Sequence, residues 1–219
     1  RTFDADSSLL AEAKCDILFA PSVEEIYGDQ PQHTTVQVNS LADDLCGKTR
    51  PGHFTGVATV VSKLFNIVKP DVALFGEKDY QQLAILRHVA RDLCFDIDVI
   101  GVPTVRAENG LALSSRNGYL SEDELTLAPA IYATMQQIQQ QILAAKDPSK
   151  LNFSDLAKQG RKTLESQKFI VDYVEIRNPD LSSADKNGSK WVILVAAKLG
   201  KTRLIDNMTV TRPTEVTES

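Results

Sequence analysis

Residues 72–102 read VALFGEKDYQQLAILRHVARDLCFDIDVIGV, and this stretch decides the fold class. Its first four residues form a continuous apolar run, which is typical of a strand buried on both faces of a parallel sheet. A helical pattern follows over residues 80–93, and a second apolar run over residues 97–102 ends before Pro103. A strand, a helix and a strand within about thirty residues predict a βαβ unit with a right-handed crossover.

The segment before this unit also contains predicted strands and a predicted helix. Short apolar or alternating runs predict strands at residues 16–20 and 34–38. Over residues 54–68, apolar side chains recur at three- and four-residue steps, which predicts a helix with one buried face that ends before Pro70. The first part of the chain, residues 1–105, therefore indicates an α/β domain built on a parallel sheet.

The pattern changes after Arg116. Two helices are predicted at residues 122–145 and 153–166, and three strands at 170–176, 191–196 and 203–207. Helices followed only by strands favour a smaller α+β domain, in which the helices cover an antiparallel sheet. We expect this domain to span residues 106–210, and the polar residues 211–219 to form a frayed tail.

Composition excludes several classes of protein. Of 219 residues, 42% are hydrophobic and 24% charged, which is typical of a globular chain and not of a disordered or fibrous one. The net charge of -5 favours neither a nucleic-acid partner nor a membrane surface. Without a long apolar run or a signal-peptide pattern, we expect a cytoplasmic protein, with Cys15, Cys46 and Cys94 as reduced core residues.

Residues 76–79, Gly-Glu-Lys-Asp, join the first strand of the βαβ unit to its helix, and we call them the lysine turn. Ligands of open parallel sheets bind beyond the carboxyl ends of the strands, where a helix N-terminus offers N–H groups to phosphate. Lys78 would add a mobile positive charge. The alternative is a plain turn, in which Gly76 permits the bend, Asp79 caps the helix and Lys78 is solvated.

Residues 113–116, Leu-Ser-Ser-Arg, are a second candidate for anion binding, and we call them the serine–arginine bend. Arginine holds phosphate through paired donors, and serine adds shorter hydrogen bonds. The alternative is an ordinary polar loop. In a third candidate, Arg50-Pro-Gly-His53, the histidine could bind a ligand or carry a proton, or it could simply cap or pack against the following helix.

Five blocks of the chain, taken in order, resemble the pantoate–β-alanine ligases. They are Arg50-Pro-Gly-His-Phe54, Phe75-Gly-Glu-Lys-Asp-Tyr-Gln-Gln82, Val99-Ile-Gly-Val-Pro103, Leu111-Ala-Leu-Ser-Ser-Arg-Asn-Gly-Tyr-Leu120 and Leu204-Ile-Asp-Asn207. The resemblance is dense from Asp16 to about Leu120 and looser to Asn207. It implies an incomplete Rossmann-like nucleotidyltransferase domain followed by the smaller α+β domain.

The resemblance also implies a two-step ligation that uses ATP and Mg²⁺. The pantoate carboxylate attacks the α-phosphorus of ATP, which gives pantoyl adenylate and pyrophosphate. The β-alanine amine then attacks the activated acyl carbon, and AMP leaves. Because the intermediate is held without a covalent bond to the protein, catalysis would come from alignment and charge neutralisation.

Residue roles follow from the same resemblance. The residues that it places around ATP are Gly76, Glu77, Lys78, Asp79, Val105, Leu113, Ser114, Ser115 and Arg116. Of these, the catalytic group facing the phosphates is Lys78, Ser114, Ser115 and Arg116, and the backbone of Val105 would meet the adenine. Gln82 would hydrogen-bond pantoate, and Arg50 would either contact pantoate or brace the site. Asp6 would hold magnesium, although Ala5 replaces a neighbouring carboxylate found in some relatives. The relatives' homodimers imply a homodimer.

One departure from the family pattern bears on activity. The family's nucleotide domain begins with a segment that carries an H-x-G-H signature, and this sequence has none. We therefore expect a fragment that carries half of the nucleotide site and has little or no ligase activity alone. Two other functions stay open: an adenylating enzyme of the same superfamily that uses a different acid, and a non-catalytic nucleotide-binding or assembly module.

Overall fold

The computed structural model of the chain describes residues 3–29, 32–39, 41–145 and 147–213. The chain divides into two compact units, Arg1–Thr35 and Val36–Ser219. In the part of the smaller unit that is described, helices α1 (Phe3–Glu12) and α2 (Val23–Tyr27) bury no residue. A capping box begins α2, because Ser22 Oγ accepts the Glu25 N–H at 3.2 Å and the Glu25 carboxylate accepts the Ser22 N–H at 2.6 Å.

The predicted strands at residues 16–20 and 34–38 are wrong. Neither stretch pairs with a strand in the described residues, and Ile17 is 82% exposed. In residues 34–38, the Val36 N–H donates instead to the Thr59 hydroxyl at 2.9 Å. A short apolar run indicates a strand only when a neighbouring strand accepts its hydrogen bonds, and composition does not show that partner.

The βαβ unit is confirmed. Strands β1 (Val72–Gly76) and β2 (Asp98–Val102) pair in parallel, with Val72 opposite Asp98 and Gly76 opposite Val102. The order along the chain is α3 (Cys46–Thr49), α4 (His53–Val68), β1, α5 (Tyr80–Asp92) and β2. Helix α5 packs on both strands and on α4. The expectation that β1 is buried on both faces is wrong, since Leu74 is 63% exposed and the helices cover the opposite face.

A buried glutamine of α5 fixes the segment that leads into α3. The Gln81 amide donates to the carbonyls of Leu41 at 2.7 Å and Asp44 at 2.8 Å. Its own oxygen accepts the Cys46 N–H at 3.1 Å. Since a buried amide is stabilised only when its donors and acceptor are paired, this arrangement holds residues 41–46 against α5. It thereby sets the position of Arg50 and of the start of α4.

The C-terminal part is the predicted antiparallel sheet covered by helices, which confirms the α+β expectation. Strands β3 (Phe169–Arg177), β4 (Lys190–Leu199) and β5 (Thr202–Thr211) lie in that order. The helices before them are α6 (Glu122–Leu127), α7 (Ala130–Ala144) and α8 (Phe153–Glu165). The single helix predicted over residues 122–145 is wrong, because Pro129 has no N–H to donate to the Leu125 carbonyl and separates α6 from α7.

Trp191 lies at the centre of the C-terminal core. It is fully buried, its ring lies edge-on to Phe153 with centroids 5.5 Å apart, and its Nε1 donates to the Asp185 carbonyl at 2.8 Å. Strand β5 continues to Thr211, and residues 214–219 of the predicted frayed tail lie outside the described residues. The domain bounds 1–105 and 106–210 stay a prediction.

The prediction of three core cysteines holds for Cys46 only. Cys15 and Cys94 are exposed, because each follows the end of a helix in a turn that the described residues leave uncovered. In the described ranges, no helix combines the length and the apolar character needed to cross a bilayer.

A pair of isoleucines tests the assignment of the core. Ile193 is fully buried on β4 and Ile170 is 66% exposed on β3. Ile193→Ala should lower the free energy of unfolding by about 2–5 kcal/mol, because it leaves a cavity. Ile170→Ala should lower it by less than about 1 kcal/mol, the range of strand propensities. Urea unfolding followed by the fluorescence of Trp191 measures both, and equal losses would contradict this core.

Candidate functional site

The lysine turn forms a short 3₁₀ segment, Glu77–Asp79, between β1 and α5. Lys78 is half-buried, and Asp79 begins α5 without accepting a hydrogen bond from the helix through its side chain in the described structure. Gly76 has an extended backbone, and a Cβ there would meet nothing within 4 Å. Of the features of the plain-turn alternative, the Asp79 cap is absent and Lys78 is half-buried rather than fully solvated.

Strand β5 holds this turn from the other side. The Asn207 amide nitrogen donates to two consecutive carbonyls, those of Glu77 at 2.8 Å and Lys78 at 3.0 Å. Asn207 itself is buried. Because both carbonyls are satisfied by a buried donor, the backbone of the lysine turn is fixed to the sheet.

The serine–arginine bend leads into a second 3₁₀ segment, Ser115–Tyr119. The Ser114 hydroxyl oxygen accepts the Arg116 N–H at 3.2 Å, which leaves its own O–H able to donate elsewhere. Arg116 Nη1 donates to the Arg203 carbonyl on β5 at 3.4 Å. Leu113 and Ser115 are exposed. The bend is thus an ordered loop that, like the lysine turn, contacts β5.

A buried ion pair fixes the loop before the bend. The Arg106 guanidinium donates to both carboxylate oxygens of Asp206, at 2.6 and 2.9 Å, and to the Asn207 carbonyl at 3.2 Å. It also lies 4.2 Å from the centre of the Tyr132 ring. Bidentate pairing of this kind gives both strength and a fixed geometry. Asp206 and Asn207, two neighbours on β5, therefore hold one loop each.

The two candidate loops meet at one cleft. Its two adjoining cavities share Lys78, Arg116, Arg203, Ile205 and Asp206. Ser114 lines the first cavity, and Arg50, His53 and Gln82 line the second. The cavities are small, about 10 and 40 Å³. The larger groove of about 820 Å³ lies along β3 and α8 and contains none of the predicted site residues.

Burial and the charges of both signs that line the cleft set the pKa directions of its cationic groups. Burial lowers the pKa of the Lys78 amine, Arg116 lowers it further, and Asp79 and Asp206 act in the opposite direction. Burial also lowers the pKa of His53, as do Arg50 and Arg116. An anion entering the cleft would oppose the lowering of both pKa values, because a nearby negative charge favours the protonated form of each cationic group.

A second network lines one wall of the second cavity, and no sequence pattern predicted it. A β-bulge in β3 at Asp172 directs its carboxylate toward Arg203, whose Nε donates to it at 2.7 Å. Both terminal nitrogens of Arg203 lie 3.6 Å from Cys46 Sγ, and the Tyr173 hydroxyl lies 3.1 Å from the same sulfur. Burial raises the pKa of the Tyr173 phenol, so this hydroxyl keeps its proton.

Asp79 lines the second cavity of the cleft, whereas Glu77 and Val105 line neither cavity. The Glu77 side chain lies against Gly101, where a Cβ would come within 2.9 Å of it. Val105 is exposed, and its carbonyl accepts the Leu113 N–H at 2.9 Å. Asp6 is exposed on α1, in the smaller unit. In the described ranges, no three His, Cys, Asp or Glu side chains lie close enough together to hold a metal ion.

The comparisons with known proteins agree on one family. A family model described as pantoate-beta-alanine ligase matches residues 1–209. This chain belongs to the pantoate–β-alanine ligase family. The pantothenate synthetase of Acinetobacter baumannii is 53% identical over 210 residues, which are 96% of this chain and 73% of that protein.

Solved structures of family members share the fold. The pantothenate synthetase of Thermus thermophilus matches with a TM-score of 0.86 and 42% identity, over 95% of this chain and 74% of that one. A Francisella tularensis pantoate-beta-alanine ligase, crystallised with beta-gamma ATP and beta-alanine, matches with a TM-score of 0.70 and 33% identity, over 95% and 70%. These findings confirm the resemblance and the nucleotidyltransferase-type α/β fold class.

Four residues that organise the cleft were missed as site residues by sequence reasoning: Arg106, Arg203, Asp206 and Asn207. Two of them, Asp206 and Asn207, were quoted in the family block Leu204-Ile-Asp-Asn207 without a role. The signal was a pair of polar residues inside an apolar strand. Because buried polar groups need partners, such a pair indicates contacts to other elements.

The pKa of His53 predicts how stability changes with pH. An unfolded histidine has a pKa of about 6.5. Since the folded pKa is lower, the unfolded chain binds more protons between the two values, and the free energy of unfolding must rise with pH in that window. His53→Gln removes this contribution. Acidification from about pH 7 to about pH 5 should therefore lower the free energy of unfolding of the unsubstituted chain by more than it lowers that of the variant. Urea unfolding at both pH values measures the difference, and equal losses would show that the pKa is not lowered.

Proposed function

We propose that this chain binds ATP at the cleft and acts in the AMP-forming ligation of pantoate with β-alanine. The observation that carries the proposal is the meeting of the lysine turn and the serine–arginine bend at one cation-lined cleft. Family membership supports it, as does the Francisella ligase that was crystallised with beta-gamma ATP and beta-alanine.

In the first step, the protein would neutralise the negative charge of the ATP phosphates. Lys78 and Arg116 carry the positive charges that would stabilise the phosphates as the pantoate carboxylate attacks the α-phosphorus. Ser114 has an O–H that can donate to phosphate, and Ser115 is exposed beside it. An approaching phosphate raises the lowered pKa of Lys78, so the amine is fully charged when the nucleotide is bound.

In the second step, the protein would align the pantoyl group with the attacking amine of β-alanine. Gln82 and Arg50 line the same cavity as Lys78, and they are the proposed contacts of pantoate. We propose a pantoyl adenylate held without a covalent bond, which the β-alanine amine attacks at the acyl carbon, releasing AMP. No protein nucleophile is needed in this scheme, because the mixed anhydride is already activated.

Magnesium would arrive with the nucleotide. Mg²⁺ keeps several waters and is held by one or two carboxylates together with substrate phosphates, so a ready-made cluster of ligands is not required. On the family resemblance alone, Asp6 is the proposed protein carboxylate. Bound magnesium would supply further positive charge to the triphosphate.

The size of the cleft constrains how a nucleotide binds. Pockets for ligands of this size hold about 300–1,000 Å³, whereas the two cavities here hold about 10 and 40 Å³. We therefore propose that the triphosphate lies at the mouth of the cleft or displaces the serine–arginine bend as it enters. The adenine would then lie at the exposed backbone of Val105.

A cytoplasmic homodimer is proposed for the assembled enzyme.

Replacement of Lys78 tests the proposed contact with phosphate. Lys78→Ala should weaken ATP binding about tenfold to a hundredfold, the cost of about 1.5–3 kcal/mol for a hydrogen bond to a charged group. Lys162→Ala, on the exposed face of α8, is the matched control and should leave binding unchanged. Calorimetry with ATP and Mg²⁺ measures the dissociation constants. A loss below threefold for Lys78→Ala would remove this residue from the phosphate site.

The identity of the acid is tested separately. With ATP and Mg²⁺, any acyl adenylate that forms should contain pantoate and not another hydroxy acid, as mass spectrometry of the reaction mixture would show. Adenylation of a different acid would assign the chain to another activity of the superfamily. ATP binding without any adenylate, even when the family's H-x-G-H segment is joined to the chain, would favour a non-catalytic module.

A further inference from the structure

Asn207 occupies an unusual place for a polar side chain. It lies on β5 opposite Leu194 and is only 8% exposed. Its amide nitrogen has two N–H groups, and it makes two hydrogen bonds, to the carbonyls of Glu77 and Lys78. Burying this amide is favourable only because both bonds form, so the side chain is committed to the lysine turn.

The two bonds fix the residue that carries the charge. Asn207 holds the carbonyl of Lys78, and the peptide unit that contains this carbonyl is planar. The backbone on both sides of the Lys78 Cα is therefore fixed, which restricts the direction in which its side chain leaves the backbone. The neighbouring Asp206 lines the same cleft as Lys78 and is itself held by Arg106. The sheet therefore sets where the Lys78 amine lies relative to the bend.

We propose that Asn207 is a positioning residue for the nucleotide: its amide holds the lysine turn so that Lys78 faces the phosphates. This inference rests on the proposed function. The proposed role differs from a merely structural one. A positioning residue affects nucleotide binding through Lys78, whereas a structural residue affects it through the stability of the fold.

The chain offers a matched control. Asn178 follows β3, and its amide nitrogen also makes two hydrogen bonds, to the Ser182 hydroxyl and the Ser183 carbonyl, both at 2.9 Å. It lines neither cavity of the cleft. Asn178→Leu therefore removes the same number of donor bonds at the end of a strand of the same sheet, and neither acceptor belongs to the lysine turn. The carbonyl of the next residue, Pro179, accepts the Tyr80 hydroxyl at 2.9 Å, so exchange at Tyr80 is compared separately in the two variants.

A double-mutant cycle tests the inference. Calorimetry with ATP and Mg²⁺ is carried out on the unsubstituted chain, Asn207→Leu, Lys78→Ala and the double variant. Asn207→Leu should weaken binding about tenfold, and it should have almost no further effect when Lys78 is already alanine, because residues that act through one contact are not additive. Asn178→Leu should bind ATP as the unsubstituted chain does.

Three results would overturn the inference: additive effects in the cycle, unchanged binding by Asn207→Leu, or an equal loss in Asn178→Leu. Failure of the unsubstituted chain to bind ATP would instead contradict the proposed function itself. Hydrogen exchange of residues 76–83 gives a readout that needs no ligand. Exchange there should be faster in Asn207→Leu than in Asn178→Leu, and equal rates would also overturn the inference. If Asn207→Leu does not fold, Asn207→Asp keeps the shape, lacks both donors and is tested by the same exchange measurement.

Discussion

The buried ion pair between Arg106 and Asp206, continued by the amide of Asn207, is the interaction on which the cleft depends. It joins loops that are 100 and 130 residues away along the chain to two adjacent positions of one strand. Breaking one partner of such a buried pair leaves an uncompensated charge and typically costs about 3–5 kcal/mol. The geometry of the cleft is therefore tied to the stability of β5.

This arrangement anchors the two anion-binding loops to a rigid element. The lysine turn belongs to the parallel βαβ unit, and the serine–arginine bend belongs to the loop before α6. Neither loop could set the position of the other, because each is connected to its own part of the fold. Strand β5 contacts both. A binding site that is built on a strand keeps its geometry better than one that is built on loops alone.

The sequence predicts much of the fold because its strongest signals are local. The βαβ unit and the three C-terminal strands have apolar periods and turn residues that mark their own ends. The strands expected at residues 16–20 and 34–38 fail because strand formation depends on a partner elsewhere. The break at Pro129 was visible in the sequence, but apolar residues continue on both sides of it and favoured one long helix.

The candidate site, like the fold, could be predicted from the sequence only in part. The lysine turn and the serine–arginine bend have recognisable residue types next to recognisable elements, so they were identified from the sequence. The residues that hold them were not, since a polar side chain in a strand does not show which distant carbonyl or cation it meets. Arg203 illustrates this, because a β-bulge at Asp172 provides its partner and no sequence period predicts a bulge.

The most direct test of the central claim is an ATP titration of the isotopically labelled chain, followed through its backbone amide resonances. If one triphosphate contacts both loops, the amides of Lys78 and Arg116 should shift together and give the same dissociation constant. Shifts confined to one loop, or different constants for the two, would show that the lysine turn and the serine–arginine bend do not form one site.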